Sequence, residues 1–340
     1  MKYMQTEPES NQIHGPTGMT TIHGAAQKFL GMVQKSRSQN TFKTYSNAIK
    51  QFLLVLNENG FPVETEPVDG LTEKAIALFI ETLHNKATAS EKLYTTAVIS
   101  FYEFVASEEL ATINLVKVRS LAKQRNRRVG QRFPQFPKTD IEKLLDYANS
   151  LLEKPEKDEK DRLINLRDRA FLITLADTGL RVHEACKLSR GDINWYEGKA
   201  VVIGKGDKMA VIRFSKRALD AIQVYLNARR ELDGATGRLA GLPLFARHDR
   251  GSGAKTLRMT TAAGRYIVRE RVKECLGSEA VGTITPHSFR HYFVTRILHG
   301  SGNLKLAQEL ARHTSVSVTQ RYAHLNDDDL DRGFHEVIEE

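Results

Sequence analysis

TITPHSFRHYFVTRIL, residues 283–298, is the stretch from which the second half of this chain is read. Thr285 is a good helix N-cap and Pro286 a good first helical residue, because proline's missing N–H would be unsatisfied there anyway. That places His287 in the first turn, with Arg290 and His291 on the same face by i,i+3 and i,i+4 spacing. Phe289, Phe293 and Ile297 fall on another face, fit for a core. Basic side chains beside the free N–H groups of a helix start form an anion site, well suited to a phosphate. The helix dipole there disfavours imidazolium, so a neutral His287 able to accept a proton is expected. His287 and His291 also have the spacing of zinc ligands, but the motif requires Glu after the first His and Ser288 stands there, so no metal is expected.

Three further stretches frame this helix. TGLRVHEACKL (178–188) leaves an apolar helix, turns at Gly179 and presents Arg181 at the next helix start. Glu184, one turn on, could hold the guanidinium in place, or the two could be a plain surface pair worth little. KAVVI and MAVIRF flank GKGDK (204–208) and predict a β-hairpin with Lys205 at its tip. That tip lacks the spacing of a Walker loop, leaving a simple turn or a swinging ammonium. ARHTSVSVTQRYAHL (311–325) holds His313 and Tyr322 nine residues apart, on opposite sides of any unbroken helix. A cap at Thr314 or Ser315 would put His313 in a loop before a helix carrying Tyr322 and remove that objection.

The N-terminal half is helical in pattern. Phe42, Tyr45, Ile49, Phe52, Leu53 and Leu56 make one apolar stripe, Ile76, Ile80 and Leu83 a second, and Leu93, Ala97, Phe101 and Val105 a third. A small helical bundle is expected over 21–116, after a polar, disordered tail over 1–20. KVRSLAKQRNRRVGQRFPQFPK (117–138) carries eight bases and no acid, and is a solvated linker, a strap along a phosphate backbone, or both. A second domain is expected over 139–325, opening on a helix capped by Thr139 or Asp140, and an acidic tail over 326–340. The charge is +9, which favours a polyanionic partner. Cys186 and Cys275 are too few for a disulfide framework and fit a reducing cytosol. No apolar run reaches the roughly 18 residues of a membrane span, so neither membrane nor export is expected.

Together these pieces resemble the tyrosine recombinase (phage integrase) family, Xer-type enzymes included. Its ordered set of Arg, Lys, His-x-x-Arg, His and Tyr is matched by Arg181, Lys205, His287-Ser-Phe-Arg290, His313 and Tyr322. Two positions depart from the pattern: Arg312 stands where Gly usually precedes the second histidine, and Asn114-Leu115 where Asn-Pro is common. The resemblance implies a mainly α protein with a small antiparallel sheet in the catalytic domain, and a SAM-like core-binding bundle before it. It implies clamping of double-stranded DNA at specific sites, with Arg125, Arg127, Arg128, Arg132, Thr41 and Lys43 as DNA contacts. It further implies a homotetramer on two sites, or a heterotetramer with a related recombinase, acting at the nucleoid. Tyr322 would form a 3′-phosphotyrosyl link, and a Holliday junction would follow. Arg181, Arg290 and His313 would hold the phosphate, Lys205 would protonate the leaving oxygen, His287 would assist Tyr322, and Glu184 would orient Arg181. Because the link stores the phosphodiester energy, neither ATP nor a cofactor is required. A type IB topoisomerase or telomere resolvase shares this chemistry, and a catalytically silent DNA-binding regulator could share the fold.

Overall fold

The computed structural model describes residues 19–127, 137–203, 209–234, 239–249, 251, 253, 255–313 and 319. The chain divides into two compact units, 1–132 and 133–340.

The first unit is a helical bundle: α1 (Ile22–Ser36), α2 (Gln39–Glu58), α3 (Lys74–Thr82), α4 (Thr88–Ser107) and α5 (Leu115–Arg125). Thr21, Ser38 and Asn114 cap α1, α2 and α5 by accepting from the N–H three residues on. The apolar stripes converge on an aromatic centre in which Phe52 packs edge-on against Phe79, ring centroids 5.3 Å apart. Phe29 meets Phe101 at 5.6 Å. The Tyr102 hydroxyl, fully enclosed, donates to the Thr72 carbonyl at 2.8 Å, which satisfies the one polar atom on that ring.

Two expectations change here. Leu93 is 47% exposed, because the inward positions of the first turns of α4 belong to Glu91 and Thr95. The linker expected from 117 is helix as far as Arg125. Val118 and Ala122, one turn apart within the basic run, are buried and dock α5 on the bundle. The run has no acid of its own, but its bundle supplies them. Arg119 pairs with Glu103 at 2.7 Å, Lys117 with Glu73 at 3.4 Å, and Arg125 with Glu81. Glu91, its side chain 1% exposed, accepts from the Arg127 backbone at 2.8 Å and from its Nε at 2.6 Å. Arg128 and Arg132 lie outside the described residues.

The second unit runs α6 (Lys138–Ser150), α7 (Glu159–Thr178), α8 (Val182–Lys187), β1 (Ile193–Asn194), β2 (Lys199–Ile203), β3 (Met209–Arg213), α9 (Lys216–Ala228), the short α10 (Arg230–Asp233), α11 (Thr261–Leu276), α12 (Pro286–Ser301) and α13 (Leu304–Ala311). Helix α6 starts before Thr139 and Asp140, and its N-cap position is Pro137, so neither residue caps it. Helix α7 is the central element, buried around most of its circumference from Ala170 to Ala176. The expected hairpin forms, with Lys199 opposite Arg213 and Ile203 opposite Met209, and β1 adds a third antiparallel strand that had no signal of its own. Its inner face contributes Ala200, Val202 and Ile212 to the core, while Val201, Ile203, Met209 and Val211 point outward.

Charges are also buried in this unit. Asp168 bonds Arg271 at 2.8 Å and Arg167 at 2.7 Å, and the fully enclosed Arg229 bonds Asp233 at 2.9 Å. Such pairs hold elements in register, because removing one partner strands the other charge away from water. Among the described residues no helix is long and apolar enough to cross a membrane.

Candidate active site

Gly179 opens the site. It ends α7 with φ +60, and a Cβ there would stand 2.5 Å from the Phe293 ring, so both conformation and space call for glycine. The sharp stop leaves Arg181 at the N-cap of α8. Its own N–H donates to Glu184 Oε2 at 2.8 Å and its Nη1 to Glu184 Oε1 at 3.1 Å. Glu184 therefore fixes both ends of Arg181, as its spacing implied, while the guanidinium side chain stays 44% exposed.

Helix α12 begins as its sequence predicts, with Thr285 at the N-cap and Pro286 first; the Thr285 N–H donates to Ser288 Oγ at 3.1 Å. Arg290 on this helix is 1% exposed. Its Nη1 donates to the Gly179 carbonyl at 2.6 Å and its Nη2 to the Ala311 carbonyl. Those carbonyls lie just ahead of Arg181 and His313, so one planar guanidinium fixes the positions of both segments.

His313 follows α13. Its N–H donates to the Gln308 carbonyl at 3.1 Å, its own carbonyl accepts from Gln308 Nε2 at 3.1 Å, and its Nδ1 lies 2.9 Å from Thr319 Oγ1. Burial, then the charges of Arg290 and Arg181, pull its pKa down to about 4. His287 is lowered by the same three causes in the same order, so burial leads where the helix dipole was expected to. His291, its ring 4.5 Å from that of His287 and edge-on to it, is lowered to about 4 by burial and by its neighbours His287 and Arg290. Arg181, Arg290, His287, His291 and His313 thus feel one another electrostatically, although the sequence scatters them over three segments. The result is two fixed cations beside imidazoles held neutral, an arrangement able to bind an anion and accept a proton.

Lys205, expected at the hairpin tip, and Tyr322 lie outside the described residues, as do Thr314 and Ser315. Thr41 sits in the first turn of α2, where Ser38 Oγ accepts from its N–H at 3.3 Å, and Lys43 lies just beyond that turn. Gln308 and Thr319 went unread and left no signal in the sequence; His291 was read on the same face as His287 and Arg290 but given no catalytic role. Arg312, the departure from the family's usual Gly, is the left-handed C-cap of α13 (φ 58, ψ 45) and pairs with Glu184 at 2.9 Å. Among the described residues no group of three or more His, Cys, Asp or Glu is placed to hold a metal ion.

Comparison with known proteins matches residues 135–329 to the phage integrase family and residues 27–109 to the phage integrase N-terminal SAM-like domain. A tyrosine recombinase XerC of Pelobacter propionicus is 33% identical over 298 residues, covering 87% of this chain and 88% of the relative. The chain belongs to the phage integrase family. The XerC of Bacillus licheniformis is another relative of this integrase, 30% identical over 88% of this chain and 90% of its own. The fold is shared with the XerH site-specific recombinase bound to palindromic difH substrate (TM-score 0.64, 17% identity, 93% of this chain and 85% of that one). It is also shared with a lambda integrase dimer bound to a COC′ core site (TM-score 0.61, 18% identity, 90% and 98%).

Proposed function

We propose that this integrase is a site-specific DNA recombinase that cuts and rejoins strands through a covalent 3′-phosphotyrosyl intermediate and a Holliday junction. The observation that carries the reading is Arg290, whose guanidinium ties the segment of Arg181 to the segment of His313. An enzyme of this class must stabilise negative charge building on a pentacoordinate phosphate, and pre-set cations do so without reorganising in the transition state. Arg181 and Arg290, with His313, would contact the non-bridging oxygens. Tyr322 attacks phosphorus and the 5′-oxygen leaves. The phenol proton passes to His287, whose lowered pKa keeps it neutral, and Lys205 protonates the leaving oxygen. The reverse reaction on a partner strand completes the exchange.

The bundle over 21–116 would be the core-binding domain, 139–325 the catalytic domain, and 326–340 a tail docking on a neighbouring protomer through Leu330, Phe334 and Val337. Thr41, Lys43, Arg125, Arg127, Arg128 and Arg132 would contact DNA, for which Arg125 and Arg127 must exchange carboxylates for phosphates. Assembly would be a tetramer on two sites, of one chain or with a related recombinase, at the nucleoid in the cytoplasm.

The test is a nicked suicide substrate carrying the cognate site, in EDTA. The wild type becomes covalently attached to DNA and Tyr322→Phe does not. Attachment by Tyr322→Phe would move the nucleophile elsewhere; none by the wild type would favour a silent DNA-binding regulator.

A further inference from the structure

We propose that Arg312 is a positioning residue of the cleavage step, one that leaves the charge of Arg181 available to the phosphate by carrying part of the burden of Glu184; this deepens the recombinase reading and rests on it. Arg312 and Glu109 are the non-glycine residues with positive φ among those described. Glu109 is exposed on a turn, whereas the Arg312 side chain is 11% exposed and turned inward. A glycine would adopt φ 58 without strain, so the backbone gives no reason for an arginine there. The reason lies at the other end of the side chain. Arg312 Nη2 donates at 2.9 Å to Glu184 Oε2, the oxygen that also accepts from the Arg181 N–H at 2.8 Å.

The charge balance follows from that sharing. Glu184 is 2% exposed at its side chain and would be raised by burial, yet it is held below the ordinary glutamate range, first by the charge of Arg312 and then by hydrogen bonds and the charge of Arg181. Arg181, Glu184 and Arg312 together carry one net positive charge. Without Arg312, Arg181 and Glu184 cancel, and the buried carboxylate draws on Arg181 alone. The guanidinium most exposed to an incoming phosphate then has its field neutralised from behind. Arg312 also adjoins His313, so the same ion pair ties the His313 segment to α8, at a second point beyond the carbonyls held by Arg290.

The experiment is single-turnover attachment of the full-length protein to the nicked substrate at saturating DNA, with DNA affinity measured separately. Arg312→Met should slow attachment by about 10- to 100-fold, less than the roughly 10²–10³ of a direct contact because it acts through Glu184, and leave affinity within about threefold. Arg312→Gly, which suits the turn, should be as slow, and Arg312→Lys should recover most of the rate. In a Glu184→Gln background the loss from Arg312→Met should shrink to about threefold or less, since no buried carboxylate then needs neutralising. A wild-type rate in Arg312→Met or Arg312→Gly overturns the role. So does an undiminished loss beside Glu184→Gln, or a loss lying wholly in DNA affinity. No attachment by the wild type, read in the same gel, instead sinks the recombinase reading and this role with it.

Discussion

Replacing Arg290 by lysine keeps a buried positive charge but exchanges a planar fork for a single ammonium. The fork spans the Gly179 and Ala311 carbonyls, whereas an ammonium on a shorter reach satisfies one of them. The other carbonyl then loses a charge-assisted bond, and a buried carbonyl left unpaired costs about 1–3 kcal/mol. For a unit of this size, about 2 kcal/mol corresponds to roughly 4–8 °C in melting temperature. Function should suffer more than stability, because the loosened segment carries Arg181 or His313. Loss of one pre-set phosphate contact alone is worth about 10²–10³ in rate. The chain's single tryptophan, Trp195, lies in the same unit, so its fluorescence in urea reports unfolding there. Attachment to the nicked substrate reports catalysis. Arg290→Lys with a wild-type urea midpoint and a wild-type attachment rate would refute the argument that this guanidinium fixes both segments. A fall in stability with full activity would show that the segments are held but need not be.

Acid should weaken the catalytic unit through its histidines. His291 and His313 titrate near 4 when folded against 6.5 unfolded, so below pH 6.5 the unfolded chain binds protons that the fold excludes. Their contribution is therefore intact above pH 6.5 and lost as pH falls towards 4. The Trp195 urea midpoint should drop between pH 7 and pH 5, less steeply in His291→Asn, and a flat profile in the wild type would contradict the burial. In the bundle, Glu91→Gln should cost about 1–3 kcal/mol by weakening the contact that holds Arg127, measured by circular dichroism in urea. An unchanged transition would mean that Arg127 is held by other contacts. Truncation after Asn326 should leave DNA binding intact and abolish assembly of two sites, and a truncated protein that still recombines would remove the docking role of the tail.

The elements with strong local signals were legible from sequence. Thr285-Pro286 announced α12, Gly179 ended α7, and the alternation around GKGDK gave β2 and β3. The ordered set Arg181, Lys205, His287, Arg290, His313 and Tyr322 pointed to the family because each member occurs in the expected order along the chain. What escaped depends on contacts between distant segments. The basic run reads as free of acids because Glu81, Glu91 and Glu103 come from other helices of the bundle. Strand β1 is two residues long and exists only by pairing with β2. The role of Arg312 needs Glu184, 128 positions away, and no periodicity records that distance.

The Arg290 guanidinium bonds carbonyls 111 and 21 positions away along the chain. Closing loops of such different length demands that α7, α12 and α13 have all come together first. The pocket that would break a DNA strand therefore does not exist on a half-folded chain, one emerging from the ribosome or one partly unfolded by heat. A chain in which α7, α12 and α13 have not met lacks the guanidinium bridge on which that pocket would rest.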